Sequence, residues 1–163
     1  MHKFANPAQF LRLARPLTPV LFWLGLVLVL GACTWGLIAA PAERLQGDTV
    51  KIIFIHVPAA WLGQAAWIGI AIAGLVQLVW RHPLAGIAGR AIAVPGAVFA
   101  GLCLVTGAIW GRPAWGTWWV WDGRFTSMMV MFFLYLGYIA LANASSEKGS
   151  VSRVTAVFGI IGA

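Results

Sequence analysis

Long apolar stretches alternate with short polar ones along the whole chain. Runs of about 20 apolar residues, the length an α-helix rising about 1.5 Å per residue needs to cross roughly 30 Å of hydrocarbon, occupy Leu17 to Ala40, Ala59 to Trp80, Ala91 to Trp110 and Phe125 to Ala144. They predict four spanning helices. A fifth run begins at Val154 and stops at Ala163. That much helix reaches only about 15 Å, so a partial fifth span and a sequence truncated at its C-terminus are expected. The polar stretches are short: the amino-terminal tail, Pro41 to Lys51 and Asn143 to Ser152. No separate soluble domain is expected, and no GxxxxGK[ST] loop signals an attached ATPase. The expected fold class is an all-α integral membrane protein, a multi-pass helical bundle forming one membrane domain over residues 1–163.

Composition agrees with this reading. Hydrophobic residues make up 61% and charged residues 9% of the chain, and the mean hydropathy is +0.89, against roughly a quarter charged in soluble domains. The net charge of +7 would suggest nucleic acid in a soluble protein. Here the basic residues are scattered between apolar runs and act as topology signals, so no nucleic-acid partner is expected. Lys3, Arg12, Arg15, Arg81, Arg90, Lys148 and Arg153 fall on one side, and Arg44, Lys51, Arg112 and Arg124 on the other. Seven against four predicts a cytoplasmic N-terminus. The first run is too long for the roughly 7 to 15 residue core of a cleaved signal peptide, so it is expected to remain as the first span. Close helix packing is expected at the small residues Gly69, Ala73, Gly96 and Ala100. Cys33 and Cys103 lie inside predicted spans without a CxxC or CxxCH pattern, which signals neither zinc nor covalent haem, and their expected role is small apolar packing.

One segment changes the picture. Trp110 to Asp122 holds five of the chain's ten tryptophans. Pro113 suits the first turn of a short amphipathic helix, which would place Trp115, Trp118 and Trp119 on one face with Asp122, and Gly116, Thr117, Val120 and Gly123 on the other, while Trp121 projects separately. Such an outer-loop helix is either a platform for a planar ligand or an aromatic belt that sets depth in the membrane. On the same predicted side lies His56, in Phe54-Ile55-His56-Val57-Pro58-Ala59-Ala60-Trp61, with Pro58 expected in the first turn of the second span. His2 and His82 fall on the opposite side. An imidazole there is either an iron ligand or a hydrogen-bonding boundary residue. Arg112 and Arg124 bracket the platform, as carboxylate partners or as stop-transfer anchors with Asp122 paired to Arg124. Taken together, the ligand readings describe a pocket for a flat, acidic, metal-centred molecule, and haem has those features.

Trp115-Gly116-Thr117-Trp118-Trp119-Val120-Trp121-Asp122, followed by Gly123-Arg124-Phe125-Thr126-Ser127, resembles the WWD signature of haem-handling membrane proteins. With Ile55-His56-Val57-Pro58-Ala59-Ala60 upstream, the chain resembles the CcmC family of cytochrome c maturation from its first span through its fourth. Gly123 stands where the family more usually has Ala or Pro, and Phe125 where it has Leu. The resemblance implies a non-enzymatic protein of the bacterial inner membrane that holds haem on its periplasmic face and passes it to the haem chaperone CcmE, working with CcmA, CcmB and CcmD. It implies two axial histidines flanking the WWD segment. His56 occupies the first position, and the second would lie beyond Ala163. Trp115, Trp118, Trp119, Trp121, Asp122, Arg124 and Arg112 would complete the haem site.

Three other function classes compete. A small-solute transporter is opposed by the lack of ionisable residues inside the predicted spans, and a structural membrane subunit leaves the outward platform unexplained. An oxidoreductase or lyase finds no acid/base pair or nucleophile arrangement. The charge asymmetry gives a direct expectation: reporters fused at Gly47 and Ala114 read out the periplasm and one fused at Arg81 the cytoplasm. The reverse pattern would move His56 and the tryptophan segment to the cytoplasmic face.

Overall fold

The computed structural model describes residues 6–146 and 153–163. The expected inside-facing residues His2, Lys3 and Lys148 lie outside the described residues, as does part of the polar stretch from Asn143 to Ser152. Among the described residues five α-helices follow one another: α1 (Pro7–Thr34), α2 (Ile53–Trp80), α3 (Ala85–Trp115), α4 (Gly123–Ser146) and the short α5 (Arg153–Ile161). Four helical segments among the described residues are long and apolar enough to cross a membrane: Pro7–Ala39, Asp48–Trp80, Ala85–Trp115 and Gly123–Ala144. The multi-pass helical reading stands.

The helix ends differ from those expected, each for a local reason. α1 starts ten residues before Leu17 because Asn6 caps it, its side chain accepting from Ala8 N at 2.9 Å, and Pro7 fills the first position, where a missing N–H costs nothing. Beyond Thr34 the helix widens into a π-helical turn, Trp35–Ala39, closed by Ala40 N on Trp35 O. α2 starts upstream of Pro58, after a 3₁₀ turn over Asp48–Ile52, so Pro58 lies inside the helix and not in its first turn. His56 is therefore a helical residue. A proline inside a membrane helix is tolerated where neighbouring groups can re-satisfy the freed backbone.

By its internal contacts the chain forms two compact units, Met1–Phe54 and Ile55–Ala163. In the first, α1 has no buried residue and exposes Val20, Leu21, Phe22 and Trp23, as a helix that is apolar all round does in lipid. Phe54 packs on Gly36 and edge-on to Trp35 at 5.8 Å.

The second unit carries the core. α3 buries a stripe of small residues that includes Gly89, Ala93, Gly96, Ala100 and Cys103, and α4 answers with Met128, Tyr135, Tyr138 and Ala142. Lipid removes the hydrophobic drive between helices, so small residues that let backbones approach are what make them pack. At Gly63 of α2, an added Cβ would lie 3.3 Å from the backbone N of Ala100. At Gly96 it would run into the hydroxyl and the ring of Tyr135. Tyr135, fully buried, donates its hydroxyl to Gly63 O at 2.6 Å and stacks edge-on against Trp67 at 4.8 Å. Ala73, Gly96 and Ala100 are buried as expected, and Gly69 faces Ile92. α5 lies against α2 and α4, with Ala156 against Gly74 and Gly159 against Ile70 and Tyr138.

Gly96→Ala is expected to destabilise the protein by about 1–3 kcal/mol, the usual cost of overpacking, because Tyr135 is held at both its ring and its hydroxyl. Thermal unfolding in detergent measures the loss. Unchanged stability would mean that Tyr135 is free to move.

Candidate functional site

The tryptophan segment is not a short helix. α3 runs on through Pro113 to Trp115 and ends at Gly116, which adopts a left-handed conformation (φ 77°). Glycine takes that conformation without a Cβ penalty and is the common residue just past a helix C-terminus. Gly116 N bonds Arg112 O at 3.0 Å, and Arg112 Nη1 donates to Gly116 O, so this guanidinium sits on the carbonyl end of α3. Residues 117–121 are non-helical. The Thr117 hydroxyl turns them by bonding the backbone of Trp119, accepting from its N–H at 3.4 Å.

Asp122 then starts α4. Its Oδ1 accepts from Phe125 N at 2.9 Å, which caps the helix, and its Oδ2 accepts from Arg124 Nε at 3.1 Å and Nη2 at 2.8 Å. The Asp122 carboxyl is held below the ordinary carboxylate range, first by the Phe125 amide and then by the Arg124 guanidinium.

This geometry redistributes the expected platform. Trp115, Trp118 and Trp119 do not share a helical face. Trp115, at the end of α3, meets Trp110 edge-on at 4.8 Å and carries the Arg124 guanidinium 5.3 Å above its ring. Trp119 folds back onto Phe125 at 4.8 Å and meets Trp121 at 5.4 Å. Its Nε1 is buried without a hydrogen-bond partner among the described residues. Trp118 and Trp121 stay exposed, at 58% and 74%.

Beneath the loop lies a cavity of about 460 Å³, within the range of small-molecule sites. It opens where the start of α2, the end of α3 and the start of α4 come together. Its wall is aromatic at Trp110, Trp115 and Phe125, soft at Met128 and Met131, and polar at His56, Gln64, Cys103, Arg124 and Ser127. The structure thus brings together His56, Trp115 and Arg124 of the expected site. Trp118, Trp119, Trp121, Asp122 and Arg112 stand outside the cavity wall.

His56 enters from α2 and is held from α3. Its Nδ1 is 3.0 Å from Thr106 Oγ1, and its Nε2 is 4.0 Å from Cys103 Sγ. Gly107 leaves room for it, since an added Cβ there would lie 3.1 Å from His56 Cε1 and 3.2 Å from Phe125 Cζ. Sequence reasoning assigned Cys103 to packing. It is buried, yet it also borders the cavity beside the imidazole. Thr106, Trp110, Met128 and Met131 were not singled out, because residues from different helices meet here without any shared spacing in the sequence.

The CcmC family model, described as heme exporter protein C, matches residues 1–163. The chain belongs to the CcmC family. It is 46% identical over 161 residues to a heme exporter protein C of Bradyrhizobium diazoefficiens, an alignment covering 98% of this chain and 60% of that protein. It is 42% identical over 157 residues to the one of Haemophilus influenzae, covering 96% and 64%. It is 39% identical over 162 residues to that of Escherichia coli strain K12, covering 99% and 66%. The chain therefore spans 60% to 66% of the length of these CcmC relatives.

The ion pair and cap at Asp122 give a pH expectation. A carboxyl whose folded pKa is depressed contributes stability above its unfolded pKa, about 3.9, and loses it as pH falls through the folded value. Asp122→Ala should lower the thermal midpoint in detergent at pH 7, and the difference from the native protein should shrink as the pH drops below the carboxylate range. Asp122→Asn, which keeps a capping oxygen, should lose less. A pH-independent difference would assign the loss to packing.

Proposed function

We propose that this chain holds haem at the periplasmic face of the bacterial inner membrane and passes it to the haem chaperone CcmE, working with CcmA, CcmB and CcmD. One observation carries the reading: an imidazole, two indoles and a guanidinium converge on one largely apolar cavity at one end of the helices. Each group matches a part of haem. His56 Nε2 is the iron ligand, as neutral imidazole commonly is. Trp110, Trp115 and Phe125 offer apolar faces to the ring. Arg124, held by Asp122, offers its guanidinium to a carboxylate. The exposed Trp118 and Trp121, the latter packed against Trp119, form the outward surface from which haem leaves for the chaperone. Arg112 shapes this surface by closing α3. The role is binding and delivery, not a chemical transformation.

The reading is tested by the Soret absorbance of the detergent-purified protein. His56→Ala should reduce retained haem by at least the roughly 10-fold that losing a partner behind a ligand costs a metal site, whereas His82→Ala should not. Equal losses from both would point to general destabilisation. Trp115→Ala should lower haem occupancy at an unchanged amount of membrane protein. Trp118→Ala and Trp121→Ala should leave occupancy intact and slow transfer to CcmE. If all three tryptophan variants bind and deliver haem normally, the tryptophans serve only as a membrane belt.

A further inference from the structure

Two side chains, Thr106 and Cys103, reach the ring nitrogens of His56, and they differ in what they can give. A threonine hydroxyl has one proton and two lone pairs, and a backbone carbonyl only accepts. Thr106 is buried within α3, with its Oγ1 2.7 Å from Leu102 O and 3.2 Å from Cys103 O. An oxygen–oxygen separation of 2.7 Å is the ordinary length of an O–H···O hydrogen bond. Without a proton between them, two oxygens at that distance would set lone pair against lone pair. The hydroxyl proton therefore lies toward the Leu102 carbonyl, the back-bond a threonine makes to the residue four positions earlier in a helix. What Oγ1 turns toward the imidazole is a lone pair. The proton in the 3.0 Å contact between Oγ1 and Nδ1 must then come from the ring.

We infer that Thr106 is a positioning residue that holds His56 as its Nδ1–H tautomer and so leaves the Nε2 lone pair facing the cavity. The second neighbour is compatible with this tautomer and does not decide it, because a thiol can also accept weakly. Cys103 Sγ, 4.0 Å from Nε2, is a weak S–H donor and suits a nitrogen carrying a lone pair. In the other tautomer, Nδ1 and Oγ1 would present lone pairs to each other unless Thr106 took its proton away from Leu102 O. Both side chains come from one stretch of α3, and Leu102 O fixes the Thr106 hydroxyl, so a single helical turn sets the rotation and the protonation pattern of a ring on α2. The value of this arrangement rests on the proposed role of Nε2 toward haem iron, where a fixed hydrogen bond behind a ligating imidazole sets its orientation and basicity. The tautomer itself does not depend on haem.

The test separates the two. The chain has three histidines, so His2→Gln and His82→Gln leave His56 as the sole imidazole signal. Nitrogen-15 NMR of the haem-free, detergent-solubilised protein at neutral pH should then show Nδ1 protonated and Nε2 bare. Thr106→Ser keeps the hydroxyl and should preserve that pattern. Thr106→Val keeps the volume, removes the oxygen, and should give a mixture of tautomers with haem retention reduced about 10-fold. A spectrum of this protein, with His56 as its one histidine and Thr106 intact, that shows Nε2 protonated, or both nitrogens protonated, overturns the inference whether or not the Thr106 variants fold. A Thr106→Val spectrum identical to that of the same protein with Thr106 intact overturns it as well. A shifted tautomer with haem retention unchanged upholds the role of Thr106 in setting the tautomer and removes its link to haem binding, while His56→Ala remains the test of ligation.

Discussion

The second unit depends on one contact in the middle of its helices, where the Tyr135 ring lies on the bare backbone of Gly96 and its hydroxyl bonds the Gly63 carbonyl. Helices surrounded by lipid gain nothing from hiding apolar surface, because the alternative surroundings are equally apolar. They need shape and polar satisfaction. This tyrosine supplies both, touching α2 through its oxygen and α3 through its ring. Trp67 closes the contact edge-on. A carbonyl in hydrocarbon has no water to turn to, so the bond at 2.6 Å fixes the mutual rotation of α2 and α4.

That fixed rotation is what makes a cavity possible at one end. Between Gly63 and Ala100 the backbones approach closely, but toward the loop the side chains grow larger. His56, Phe125 and Trp115 cannot fill the space as evenly as glycine and alanine do lower down. Gly107 prevents the opposite failure, in which His56 and Phe125 would be driven out of the wall. The polar groups that reach this space come from three helices and are held at their bases. Thr106 holds the imidazole, Asp122 holds the guanidinium, and Trp110 meets Trp115. Groups fixed in this way keep their orientation before any ligand arrives, which reduces the ordering cost of binding.

Helix number and approximate position were legible in the sequence, because a run of twenty apolar residues has few alternatives. The family was legible from the WWD segment. Conformation inside that segment was not. Reading Pro113 as a helix start is sound as a local rule, but α3 arrives at Pro113 already formed, and Gly116 then stops it. The same competition displaced Pro58: a 3₁₀ turn beginning at Asp48 opened α2 first. His56 could be singled out by its type and its side of the membrane. Its partners could not, since nothing in the order of residues says that position 56 of one helix meets positions 103 and 106 of another.

Arg112 and Asp122 stand at the two ends of the tryptophan loop, and each is engaged with backbone. The cation lies at the carbonyl terminus of α3 and the anion at the amide terminus of α4, the signs that each helix dipole favours. The second cation, Arg124, is balanced by the same anion. The formal charges at the ends of the loop therefore each have a protein partner. Bulky indoles on a turn prepared in this way can rest at the depth where acyl chains give way to headgroups. The exposed Trp118 and Trp121 rings can then face such a boundary without an unanswered charge of the loop beside them.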